Sequence, residues 1–128
     1  MAPSDGQGVT NGNFMQIEQA SVGAVRVLAP VGRIDTTTSA AVEEALRRTV
    51  DAGGRELVVD LEGVDYISSA GLRVFLVLAK RLRNEQGRLV LCGLPEPVRQ
   101  VFHLAGFIPL FEIERTREAA VARAASPS

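Results

Sequence analysis

The sequence predicts an α/β domain with a mixed, mostly parallel sheet in the order β-β-α-β-α-β-α-β-α, with helices packed on it. From residue 24 onward, short apolar runs alternate with runs of helical spacing, which calls for parallel strands joined by right-handed crossovers. Two of the runs, Glu56 to Leu61 and Leu89 to Cys92, are nearly continuously apolar, as strands covered on both faces are. The first two runs are separated by too few residues for a crossover, so they pair as an antiparallel hairpin.

Residues 1–13 are rich in Gly, Ser and Asn and read as a disordered leader. Phe14 to Ala20 alternates weakly between apolar and polar and forms the first strand. Ser21-Val22-Gly23 turns the chain, and Ala24 to Val31 is the second strand. Gly32-Arg33-Ile34-Asp35 closes it, and Thr36-Thr37-Thr38-Ser39 offers N-caps for a helix. Val42, Ala45, Leu46, Thr49 and Val50 line one face of that helix, and Gly53-Gly54 ends it.

After the strand from Glu56 to Leu61, Gly63-Val64-Asp65 is expected to turn the chain toward Ser68 and Ser69. A second helix carries Leu72, Phe75, Leu76, Ala79 and Leu82 on its core face and ends near Gly87. Val74, Val77 and Leu78 lie off that face, widening its apolar surface. Gly93-Leu94-Pro95 introduces a third helix with Val98, Val101, Phe102 and Ala105, which stops at Gly106. Leu110 to Ile113 is the last strand and Thr116 to Ala125 an Ala-rich last helix. One domain is therefore expected over residues 14–123, with 124–128 a frayed tail. This length suits one hydrophobic core.

Composition excludes several functions. The 14 basic and 15 acidic residues nearly cancel, and Lys80 is the only lysine. No long-range field draws the chain to nucleic acid or anionic lipid. No apolar segment is long enough to span a bilayer, and the N-terminus lacks the basic and apolar parts of a signal peptide. A cytoplasmic protein without membrane insertion is expected. Cys92 is the only cysteine and sits in an apolar run, where a buried, inert thiol is the simple reading.

Enzyme chemistry is also missing. His103 lies on an apolar helix and reads as a packing residue; no second histidine could complete a metal shell. No Gly-x-Ser-x-Gly elbow occurs, and no Gly-rich phosphate loop is followed by lysine. A phospho-receiver domain would need a lysine at a strand end, whereas Lys80 falls mid-helix. Asp35, Asp60 and Asp65 read as turn and strand-end residues rather than a magnesium cluster. No catalytic residue, metal or cofactor is expected.

The most informative stretch is Asp65-Tyr66-Ile67-Ser68-Ser69-Ala70-Gly71-Leu72-Arg73. Two hydroxyls stand between a strand and a helix, where unpartnered amides favour negative charge. Such a hydroxyl is either an N-cap or a phosphate carrier. In sheets of this kind, ligands and partners meet the loops beyond the carboxyl ends of the strands. If the strands before Asp35 and before the serines are neighbours, both loops share one edge.

Gly32-Arg33-Ile34-Asp35, Leu57-Val58-Val59-Asp60-Leu61 and Val64-Asp65-Tyr66-Ile67-Ser68-Ser69-Ala70-Gly71-Leu72 closely resemble the anti-sigma factor antagonists, bacterial proteins of the STAS domain class. The resemblance covers about residues 14 to 123. It implies a single STAS-like domain that is a monomer when free and acts in a partner switch. The unphosphorylated antagonist binds an anti-sigma factor that is also a serine kinase. Phosphorylation of one serine separates the pair, and a PP2C-type phosphatase resets it.

The family core reads Asp-Ser-Ser-Gly-Leu, with the first serine as acceptor. Placing Gly71-Leu72 on its Gly-Leu puts Ser68 at the aspartate, Ser69 at the acceptor and Ala70 at the second serine. The resemblance thus implies Ser69 as phosphoacceptor, with Ser68 as the alternative. Asp35 matches a family aspartate near the acceptor that contributes to kinase contact. Partner contact is expected from Asp35, Thr36, Thr37, Ser68, Ala70, Gly71, Leu72, Arg73 and Val77. The amides of Gly71 and Leu72, and Arg73 one turn on, are expected to accommodate the phosphate. The missing aspartate at Ser68 keeps a second role open, a constitutive STAS scaffold partnering a membrane transporter; a nucleotide sensor on the same edge is a third.

Overall fold

In the computed structural model of the chain, residues 8–12 are described by their backbone, and 15–126 in full. The strands are β1 (Gly8–Gly12), β2 (Met15–Val22), β3 (Val25–Ile34), β4 (Glu56–Asp60), β5 (Val64–Ile67), β6 (Arg88–Cys92) and β7 (Glu112–Glu114). The helices are α1 (Ser39–Asp51), α2 (Ser69–Asn84), α3 (Glu96–Leu104) and α4 (Arg117–Ala125). One sheet runs in the order β1-β2-β3-β4-β6-β7, with β5 beside β3. The β1–β2 and β2–β3 pairs are antiparallel, and β3–β4, β4–β6, β6–β7 and β3–β5 are parallel.

Alternation along the central strands divides the core between two faces. Leu57 and Val59 of β4 and Leu89 and Leu91 of β6 join α1, α2 and α3, including Val42, Leu46, Phe75, Leu82 and Phe102. Val58, Val90 and Cys92 point to the opposite face, with Val25 and Val27, and meet Ala120 and Ala124 of α4. Both faces of β4 and β6 are therefore covered, which is why they read as unbroken apolar runs.

Several boundaries differ from the sequence expectation. Gly8–Gly12, placed in the disordered leader, pairs through its backbone with Met15–Gln19. Strand pairing uses N–H and C=O groups, so a Gly- and Asn-rich edge can form with no side-chain pattern. The rest of the leader and Phe14 lie outside the described residues. The hairpin turns on Gly23-Ala24, with Val22 opposite Val25 and Gly23 at φ 60°, as a two-residue turn requires.

Val64–Ile67 is strand β5 rather than a turn, because it takes over the edge of β3 where β4 stops. The last strand is Glu112–Glu114, since Ile108–Leu110 forms a 3₁₀ turn containing Pro109. Ala124, placed in a frayed tail, is buried within α4. The remaining tail, 127–128, lies outside the described residues.

Candidate functional site

β3 is long enough to serve two neighbours. Its first half pairs with β4 and its last residues, Gly32 to Ile34, pair with β5. A register irregularity between Gly32 and Arg33 marks the change of partner. Gly32 adopts φ 110° there, a conformation that favours glycine, and its N–H donates to the Gly63 carbonyl at 2.9 Å. β3 and β5 then end side by side, with Ile34 opposite Ile67, and the Ser68 N–H donates to the Ile34 carbonyl at 2.8 Å. The loops beginning at Asp35 and at Ser68 thus share one edge, as the neighbouring-strand expectation requires.

The Asp35 loop is closed by its own polar groups. Asp35 Oδ1 accepts from the amides of Thr37 and Thr38, both at 2.9 Å. Thr38 Oγ1 accepts from the Asp35 amide at 2.9 Å and donates to the Arg33 carbonyl at 2.7 Å. The Thr38 amide, more than any other cause, holds the Asp35 carboxyl below its ordinary value; partial burial opposes this, and the Thr38 hydroxyl, Thr37 amide and Arg33 charge reinforce it. Asp35 is a fixed carboxylate, flanked by exposed Thr36 and Thr37.

The two serines have different tasks. Ser68 is the N-cap of α2, with extended backbone, and its Oγ accepts from the Gly71 amide at 3.2 Å. Its carbonyl accepts from the Leu72 amide at 3.0 Å. Ser69 is the first helical residue and is exposed, with no hydrogen-bond partner for its hydroxyl among the described residues.

The amides of Gly71 and Leu72 are therefore occupied by Ser68, contrary to expectation. Those of Ser69 and Ala70 have no partner among the described residues. This follows from capping geometry, which satisfies the third and fourth amides first and leaves the outermost ones to solvent.

Gly71 and Leu72 lie under the surface rather than on it. A Cβ on Gly71 would stand 2.7 Å from Ile34 Cγ2 and 2.9 Å from Ile67 Cγ1. Leu72 is 3% exposed and leaves no side chain for a partner to touch. Both place the start of α2 against the ends of β3 and β5. Arg73 is exposed and Ala70 partly so. Of the residues off the core face of α2, Leu78 is buried and Val74 packs against the core, while Val77 is 56% exposed.

Two neighbours of the site carry no signal in the linear sequence. Arg33 and Tyr66 are opposite one another in the β3–β5 register, and the Arg33 guanidinium carbon lies 4.2 Å from the Tyr66 ring centroid. Register between strands about thirty residues apart brings them together, so neither residue announces the other.

Outside the site, one acid is buried and held by a salt bridge. Buried Asp60 pairs with Arg117 at 2.9 Å and also accepts from the Glu62 amide. Among the described residues no group of three His, Cys, Asp or Glu side chains is arranged to hold a metal, and no helix is long and apolar enough to cross a membrane.

The STAS domain family matches residues 16–120. BtrV of Bordetella bronchiseptica, described as an anti-sigma factor antagonist, is 42% identical over 108 residues, covering 84% of this chain and 93% of its own. The crystal structure of an anti-sigma factor antagonist from Mycobacterium paratuberculosis superposes with a TM-score of 0.81 at 24% identity, over 91% of this chain and all of the other. The Bacillus cell fate determinant SpoIIAA in its phosphorylated form gives a TM-score of 0.65 at 20% identity, over 84% of this chain and 97% of its own. With the match across most of its length and the BtrV identity together, this chain belongs to the anti-sigma factor antagonists of the STAS domain family.

Proposed function

We propose that this protein is the antagonist of a partner switch: unmodified, it binds an anti-sigma factor that is also a serine kinase, and phosphorylation of Ser69 releases it. A PP2C-type phosphatase restores the binding form in the cytoplasm, and the antagonist itself contributes no catalytic group to another substrate. The observation that carries this is the exposed Ser69 hydroxyl, unpartnered among the described residues, on the same edge as the fixed carboxylate of Asp35, where β3 and β5 end side by side. Ser68 is the poorer acceptor because its hydroxyl caps α2.

The switch follows from charge and desolvation. A phosphoserine carries about −1.5 to −2 charges near neutral pH. The free amides of Ser69 and Ala70 and the guanidinium of Arg73, one turn on, support that charge in the free protein, so the fold survives. A partner covering the same edge would have to desolvate it next to Asp35. About 1.4 kcal/mol of lost affinity is already tenfold in Kd. Val77 adds an exposed apolar contact on the adjoining face of α2.

The test is incubation with the anti-sigma factor kinase and ATP, followed by peptide mapping. Phosphate on Ser69, and loss of it in Ser69→Ala, is the expected result; an unmodified 68–69 peptide contradicts it. Ser68 in place of the family's aspartate favours a second reading, a constitutive scaffold for a membrane transporter. Copurification with a permease and with no kinase would support that one.

A further inference from the structure

We infer that the partner presents a carboxylate to Arg33, received by a guanidinium already held over the Tyr66 ring. This rests on the partner switch above and names the chemistry of the surface that docks there. Ile34 and Ile67 point into the core, so their predecessors on the two paired strands, Arg33 and Tyr66, point outward. Both are exposed, Tyr66 at 39%. The pair lies two residues before Asp35 and Ser68, roughly 7 Å along the strands, and so adjoins the switch serine.

The guanidinium has an aromatic partner but no direct ion pair: its charge acts on Asp35 from a distance, and no carboxylate lies within ion-pair distance of Arg33 among the described residues. Asp35, the nearest acid along the chain, has Oδ1 directed at the Thr37 and Thr38 amides instead. The ring holds the guanidinium through its carbon, and the guanidinium N–H donors, the fork that matches a carboxylate, make no hydrogen bond among the described residues. Because the ring already restricts the long side chain, less freedom is lost on binding. Arg and Tyr are also the residue types that dominate interface energetics.

The same arrangement sharpens the switch. A phosphate on Ser69 would place negative charge near the guanidinium that the incoming carboxylate needs, and would repel that carboxylate directly. Attraction in the unmodified state and repulsion in the modified one then act at one spot.

Calorimetric titration of the full chain with its anti-sigma factor kinase, without nucleotide, tests this. Arg33→Gln should weaken binding at least about tenfold and Arg33→Glu further, with Arg33→Lys between Gln and the parent. Tyr66→Phe, which keeps the ring, should bind like the parent. An Asp→Lys or Glu→Lys substitution on the partner should restore Arg33→Glu while weakening the parent. Circular dichroism and melting of Arg33→Gln should match the parent. If Arg33→Gln and Arg33→Glu both bind within twofold of the parent, or no partner substitution restores Arg33→Glu, the inference is wrong. It is also wrong if the variants differ from the parent only when ATP is present, since the guanidinium would then meet a nucleotide phosphate. A parent that binds no kinase overturns the switch itself; a parent that binds and is phosphorylated with Arg33 indifferent overturns only the carboxylate.

Discussion

The Ser68 amide donates to the Ile34 carbonyl at 2.8 Å, and this bond joins the end of β3 to the start of α2. It fixes the distance between two loops that are far apart in sequence. Asp35 follows one partner of the bond and Ser69 the other, so this contact closes the edge that the β3–β5 pairing sets up.

Gly71→Ala should disturb that contact. The added Cβ would fall 2.7 Å from Ile34 Cγ2 and 2.9 Å from Ile67 Cγ1, inside a packed layer that cannot give way without moving α2. Overpacking of this kind costs about 1–3 kcal/mol. Urea unfolding should show the loss, and hydrogen exchange at Ser68 should accelerate more than exchange at Val58.

Asp35 should titrate below the ordinary carboxylate value of 3.8. Its pKa is lowered in the folded state, so its contribution to stability is fully present above the unfolded value and is lost as pH falls through the folded one. A carbon-detected titration should place the midpoint below 3.8, with the Thr37 and Thr38 amides shifting in step. Asp35→Asn should remove that acid-limb dependence and leave the region above pH 5 flat for this loop.

Cys92 should be inert while the protein is folded. Burial, followed by the charge of Asp60, pushes its thiol up to about 12, so at pH 8 it stays protonated and covered. Iodoacetamide should modify it only in denaturant, at the rate of an ordinary cysteine. Modification of the native protein at that rate would mean that α4 opens readily.

Arg117→Ala should destabilise the domain by about 1–3 kcal/mol. Asp60 is 6% exposed and would lose its ion-pair partner, keeping the Glu62 amide as its partner among the described residues. The outer position of Arg117 softens the effect, because water can reach the vacated side. Asp60→Asn should cost less than Arg117→Ala in thermal unfolding, since it removes the stranded charge.

How far the fold could be read in the sequence depended on whether side chains or backbone carry each element. α1 and α2 present apolar residues at helical spacing, and β4 and β6 are covered on both faces, so their patterns are plain. β1 consists of Gly, Asn and two β-branched residues paired through the backbone, and nothing in its composition shows it. β5 has only Val64 and Ile67 buried, with Asp65 and Tyr66 outward, a spacing of three that departs from the alternation of a strand. At the site, the order of the motif indicated Ser69 and Asp35, but the division of labour between the serines depends on which hydroxyl caps α2. The Arg33–Tyr66 contact needs the β3–β5 register, which no local pattern specifies.

The most direct measurement compares the affinity of the kinase partner for the full chain with and without phosphoserine installed at position 69. The phosphorylated chain should bind at least about a hundredfold more weakly, close to 3 kcal/mol, while its melting temperature stays within about 2 °C of the unmodified protein. Equal affinity of the two forms, with both folded, would contradict the account at its centre.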